Sequence, residues 1–162
     1  LHFASTNIKF NLQNASVFLK KYIIMKNRSQ CPISCSLDIL GDKWSLLLIR
    51  DLMRLKQCTY SDFLKSAEKI ATNILASRLL MLEENGLISK LDHPESKAKV
   101  LYTLTKKGID LLPILIEMQL WVDKYYTVPK EQKEIIKAVK KDKAGFIKAQ
   151  KKVLSDGIKV EH

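Results

Sequence analysis

Five glycines among 162 residues leave little room for the loop that cradles a nucleotide phosphate, and no serine sits in the glycine-flanked elbow of a hydrolase nucleophile. Histidine is as scarce. His2, His93 and His162 are not spaced with a Ser or Cys as a catalytic pair, and with the CxxxC of Cys31 and Cys35 they build no metal-ligand pattern. The expectation is therefore no enzyme, no cofactor and no metal. Three cysteines, at 31, 35 and 58, make no disulfide framework, which fits a reducing cytoplasm. Long apolar runs are missing too. The best stretch, Leu111 to Val122, is interrupted by Pro113, Glu117 and Gln119, short of the roughly 18 uncharged residues of a membrane span. The first 24 residues contain no acid and lack the charged start, apolar run and cleavage site of a secretory signal. They are expected to be an upstream extension, with Met25 as the natural start.

What is abundant is positive charge, and its placement matters more than its sum. The net charge is +11. Residues 1 to 30 carry five Lys or Arg and no acid, and residues 130 to 152 carry nine Lys against three acids. Between them, residues 31 to 129 hold thirteen bases against twelve acids. A nucleic-acid partner cannot be argued from this global balance; it has to come from local positions.

After Met25 the pattern is mostly helical. "CPISCSLDIL" predicts a short helix with proline in its first turn and Gly41 at its end; "GDKW" reads as a turn. "WSLLLIRDLM" places Leu46, Leu47, Ile49 and Leu52 at the period of a partly buried helix. Thr59 and Tyr60 read as extended, with Ser61 capping the short helix "DFLKSA". In "TNILASRLLMLEENGLI", Thr72 is the expected cap, and Leu75, Leu79 and Leu82 recur at i, i+4 and i+7 as an inward seam. Asn73, Ser77, Leu80 and Glu84 fall on the opposite face. Small side chains at 72, 73, 76 and 77 keep the front of this helix slim enough for a groove about 12 Å wide. Asn85-Gly86 stops it. "LISKLDH" and "VLYTLT" then form a hairpin whose tip, "PESKAK", holds Lys97 and Lys99. From Lys106 a long amphipathic helix with a kink or start near Pro113 is apolar almost all round, so part of it is expected to pack on a second subunit. After a break at 127 to 129, one last helix from Lys130 carries Ile135, Ile136, Val139, Phe146, Ile147, Val153 and Leu154 on a docking face.

The expected fold is mainly α with a small β-hairpin wing, a winged helix-turn-helix with terminal dimerisation helices. Its parts are the extension 1–24, a working domain 25–126 and a basic amphipathic helix 130–155. From Cys31 to Tyr126 the chain resembles the HxlR branch of the MarR-like winged-helix regulators. The resemblance rests on "CPISCSLDILGDKWSLLLIRDLM", "TYSDFLKS", "IATNILASRLLMLEENGLI", "VLYTLTKKG" and "LLPIL" with Trp121, in that order. It implies a homodimer that regulates transcription by binding an inverted repeat in double-stranded DNA, one recognition helix per half-site.

The expected DNA contacts are Asn73 and Ser77 on base edges, Thr72 and Arg78 on the backbone, and Lys97 and Lys99 reaching the neighbouring minor groove or phosphates. Each has a plainer reading: a solvated helix face for Asn73 and Ser77, a cap for Thr72, pairing with Glu83 or another acid for Arg78, and edge-strand protection for the two lysines. Cys31 stands before Pro32 at a helix N-terminus, where the dipole favours a thiolate and Lys26 and Arg28 are close in sequence. The resemblance implies redox sensing there, against the plainer role of a small packing residue. Two alternatives remain open: a winged helix that binds a protein through Leu80 and Met81, and a regulator gated by a small ligand in the dimer crevice.

Overall fold

A computed structural model describes residues 31–156. The expected extension, the start at Met25, and Lys26 and Arg28 lie outside the described residues. The chain forms two compact units, parting between Gly41 and Asp42. In the first, α1 (Pro32–Leu40) opens with its proline in the first turn, where a missing N–H costs nothing. Cys31 is its N-cap and is exposed, and Gly41 ends it, donating its N–H to the Leu37 carbonyl at 2.8 Å.

The second unit begins at Asp42. "GDKW" is not a free turn but the start of α2 (Lys43–Leu55), because the Asp42 carboxylate accepts from the N–H groups of Trp44 and Ser45 at 2.9 and 3.1 Å. Those donors have no partner within the helix, so a side-chain acceptor starts it there. Its inward stripe is Ser45, Leu48, Ile49 and Leu52; Leu46 and Leu47 are half-buried. A short strand follows, β1 (Gln57–Thr59), then α3 (Tyr60–Leu64). Ser61 does not cap α3. Thr59 does, in a reciprocal box with Asp62, so Tyr60 is already helical. The α4 helix (Thr72–Glu84) likewise starts from Ala71, and Thr72 is its first helical residue, not its cap. Gly86 ends α4 at a φ of +66°, a left-handed conformation glycine adopts without strain.

The hairpin is β2 (Ile88–Asp92) and β3 (Val100–Leu104), and β1 pairs on the other side of β3, giving an antiparallel sheet in the order β1-β3-β2. Cys58 lies opposite Tyr102, and Lys90 lies opposite Tyr102 on the far strand. The core between this sheet and α2, α3 and α4 is built from Ile49, Leu52, Cys58, Phe63, Leu75, Leu82 and Ile88, all at most 2% exposed.

Past the wing, Thr105 caps α5 (Lys106–Ile109), a separate turn, and α6 (Leu112–Tyr125) starts with Pro113 in its first turn. Of the two readings of Pro113, a start is the one found. The single terminal helix expected from Lys130 is instead two, α7 (Lys130–Lys141) and α8 (Lys143–Asp156). Asp142 leaves the helical region, with φ −152° and ψ 85°, and its carboxylate accepts from the Gly145 N–H at 2.9 Å. A capping carboxylate inside the run thus breaks it. Val139, Phe146 and Ile147 pack with Leu112, Ile116 and Leu120 of α6. Ile135 and Val153, expected on the docking face, are each 45% exposed. Among the described residues no helix is long and apolar enough to cross a membrane.

Candidate nucleic-acid interface

The leucine seam fixes how α4 presents itself. Leu75, Leu79 and Leu82 are 0, 2 and 0% exposed, and burying each contributes about 1.5–3 kcal/mol. Rotating the helix would expose all three together. The opposite face therefore stays in solvent, with Asn73, Ala76, Ser77, Leu80 and Glu84 exposed. Leu80 is the apolar exception on this face, 53% exposed.

Two ties hold α4 that periodicity does not reveal. The Tyr60 hydroxyl donates to the Thr72 carbonyl at 2.7 Å, joining the start of α3 to the start of α4 while Thr72 itself stays exposed. Arg78 meets Asp42, with Nε 3.4 Å from Oδ1, and not Glu83, which takes Lys90 at 2.6 Å instead. Burial alone would raise the Asp42 carboxyl. It lies below the ordinary carboxylate value because the Ser45 hydroxyl, the N–H groups of Trp44 and Ser45, and the Arg78 charge outweigh that burial. Asp42 is thus held as an anion.

The segment between α3 and α4 is pinned from behind. Arg50 grips Glu68 with both terminal nitrogens, at 2.6 and 3.0 Å, and Asp51 at 2.8 Å. The Arg50 guanidinium first, then the Ser66 hydroxyl, hold the Glu68 carboxyl down at about 2. An open depression of about 340 Å³ is lined by these groups with Arg54, Cys58 and Lys65. Its charges are largely paired among themselves, unlike the apolar lining of most small-molecule sites.

At the tip of the wing, residues 93 to 99 fold into turns through Ser96 N–H to the His93 carbonyl at 3.2 Å and Lys99 N–H to the Ser96 carbonyl at 3.1 Å. Lys97 and Lys99 are both exposed there. The second unit thus brings the exposed face of α4, Arg78 and the wing lysines into one winged helix. Cys31 stands in the first unit, and Cys58 is sealed in the core with its thiol pushed up to about 12, by burial first and then by the charges of Asp51 and Asp62. No cluster of metal-ligating side chains occurs among the described residues.

Known proteins share this arrangement. The family model of the HxlR-like helix-turn-helix matches residues 39–130. The HTH-type transcriptional regulator YodB of Bacillus subtilis (strain 168) is 35% identical over 102 residues, covering 60% of this chain and 87% of YodB. The solved reduced form of YodB superposes with a TM-score of 0.51 at 33% identity, over 59% of this chain and 93% of that one. PA1607 superposes at 0.56 with 37% identity, over 65% and 72% of the two chains. The redox regulator HypR in its oxidised form gives 0.53 at 28% identity, over 60% of this chain and all of HypR. With that match covering more than half its length and the winged helix in place around α4, the chain belongs to the HxlR-like helix-turn-helix family of transcriptional regulators.

Proposed function

We propose that the protein binds an inverted-repeat operator as a homodimer, one α4 per half-site, and regulates neighbouring genes in response to thiol modification. The carrying observation is the outward face of α4, polar and slim at its front while the leucine seam locks it in place. Asn73 and Ser77 read base edges in the major groove, where a good contact discriminates by about 1–3 kcal/mol. Thr72 in the first turn, Arg78 on the flank of α4, and Lys97 and Lys99 on the wing hold phosphates and fix register.

Dimerisation is supported by α6. Ile114, Met118, Trp121 and Tyr125, spaced i, i+4, i+7 and i+11, are 45, 48, 57 and 59% exposed. A continuous apolar stripe of this kind marks a subunit contact. Half-sites then lie about 34–36 Å apart, one helical turn, centre to centre. The working domain is 25–126, and 130–155 is a basic extension. Cys31 is the proposed sensor: it is exposed at the head of α1, and two of the similar proteins were solved as a reduced form and as an oxidised redox regulator. An effector acts by changing the spacing of the two recognition helices, since both must fit successive grooves at once.

The test is a gel shift on the DNA upstream of the gene. Wild type shifts it sharply, and N73A/S77A loses at least about tenfold in affinity for that sequence while retaining weak binding to unrelated DNA. A wild type that shifts no DNA even at low salt refutes this reading in favour of a protein partner at exposed Leu80. Diamide releases wild type and leaves C31S bound; equal release of both removes the thiol from the proposal.

A further inference from the structure

Arg78 sits on the flank of α4, between the buried seam and the outward face. Its Nε is cut off from solvent with no hydrogen-bond partner and lies 3.4 Å from Asp42 Oδ1, while 34% of the side chain is exposed. The sealed, unpartnered atom is Nε and neither terminal nitrogen, and a third of the side chain is left to solvent. One edge of the guanidinium therefore faces protein and the other faces out. Asp42 is itself held by several donors. It accepts from two backbone N–H groups at the head of α2 and from the Ser45 hydroxyl, and Ser45 is wholly buried.

We propose that Asp42 is a positioning residue for DNA binding: anchored to the head of α2, it aims the outer nitrogens of Arg78 at a single backbone phosphate beside the half-site. The inference rests on the DNA-binding reading above and adds to it a residue with no contact to nucleic acid. A guanidinium suits the task because its rigid fork serves two anions at once, a carboxylate on one edge and a phosphate on another. A freely rotating arginine would lose side-chain entropy on binding, and one already held loses less. The pair also fixes the rotation of α4 against α2 at a point the leucines do not reach, so the aim of Arg78 and the aim of the base-reading face are set together.

The test is a double-mutant cycle read by fluorescence anisotropy on the operator and on unrelated DNA, between about 50 and 200 mM salt, with thermal melts alongside. Wild type, D42N, R78Q, R78K and D42N/R78Q are compared. Asparagine caps as well as aspartate, so D42N keeps the head of α2 while removing the charge that holds Arg78 and the oxygen that accepts from the Ser45 hydroxyl, a second loss that the melts report. R78Q is expected to flatten the log–log salt slope by about 0.9, the release of one counterion, and to weaken specific and unrelated DNA alike. D42N is expected to weaken binding about threefold to tenfold, and D42N/R78Q to bind no worse than R78Q, the signature of residues acting through one another. R78K keeps the charge but not the fork, so it gives the D42N loss without touching the cap and stands in if D42N melts early. Additive losses, an unchanged slope in R78Q, or tighter binding by D42N overturns the assignment. A wild type that binds no DNA overturns the DNA-binding reading itself, and this inference with it.

Discussion

A methyl group added at Gly108 would stand 2.1 Å from the Leu87 carbonyl oxygen and 2.9 Å from Leu104 Cδ2. Ordinary contact begins at 3.4 Å, so in G108A the wing base and α5 have to part by more than an ångström. The oxygen that must move is already engaged: it accepts from the Thr105 N–H at 3.0 Å and from the Thr105 hydroxyl at 3.2 Å. Leu87 is only 3% exposed, so water cannot easily replace those donors. Losing one such bond costs about 1 kcal/mol, and a buried carbonyl left unpaired costs about 1–3 more. Against this, alanine favours a helix over glycine by about 1 kcal/mol. The net expectation for G108A is a loss of about 1–3 kcal/mol.

Gly86, on the other side of Leu87, supplies the control. Its φ is +66° and a Cβ there meets nothing within 4 Å, so G86A bears only the left-handed penalty of about 1–2 kcal/mol. Urea unfolding of both variants with wild type, at equal m-values, separates steric from conformational loss. A G86A variant that is the more damaging of the two, or a G108A variant within about 1 kcal/mol of wild type, would refute the clash, because the Leu87 carbonyl would then be yielding without breaking its bonds.

Acid should weaken the fold through Asp62 and Glu68. Both are held at about 2, Asp62 by the Thr59 hydroxyl first and Glu68 by Arg50 first, against ordinary values of 3.8 and 4.5. Because both are depressed, their contribution is complete above about pH 4.5 and is lost as the pH falls towards about 2; with screening it amounts to about 1 kcal/mol each. D62N and E68Q should each flatten this acid limb in denaturant titrations, and an unchanged limb in both would mean other carboxylates govern it. Cys58, buried and pushed up to about 12, should resist thiol reagents at neutral pH until the protein unfolds; rapid labelling of Cys58 in folded protein, mapped by mass spectrometry, would contradict its place in the core. Trp121→Asp puts a charge into the exposed α6 stripe and should yield a monomer by light scattering, with full-operator affinity lost before half-site binding; a dimer that survives would place the subunit contact elsewhere.

The winged helix and the inward seam of α4 were legible because each rests on a period repeated over several residues. The third strand was not. β1 spans Gln57–Thr59 with one buried residue, Cys58, too short for alternation to show, and it exists because β3 offers it an edge. The caps moved for a similar reason. Thr59 and Ser61 are both chemically able to cap, and the choice falls to Thr59 because the strand ending there leaves it extended and in reach of Asp62. The terminal helix divides at Asp142 although its apolar spacing continues across the break, since a carboxylate satisfying the Gly145 N–H in the next helix's first turn outweighs a propensity worth tenths of a kcal/mol per residue. Arg78 finds its acid far away in sequence at Asp42, a pairing only the packing of α4 on α2 creates.

The placement of charge also explains why a net +11 says so little about DNA. Six cations among the described residues are engaged within the protein: Arg50 with Asp51 and Glu68, Lys65 with Asp62, Lys90 with Glu83, Lys140 with Asp123, Lys143 with Glu117 and Lys151 with Asp110. Three of these bind the basic extension to α6 and to the turn before it, so its lysines serve docking as well as solvation. Lys97 and Lys99 stand outside this set, and Arg78 keeps its outer edge free of it. On the proposed reading, a duplex meeting α4 and the wing encounters a few placed cations on a nearly neutral domain. The salt dependence of binding should report those few contacts per subunit rather than the total charge, which makes the slope a direct count of the residues that touch phosphate.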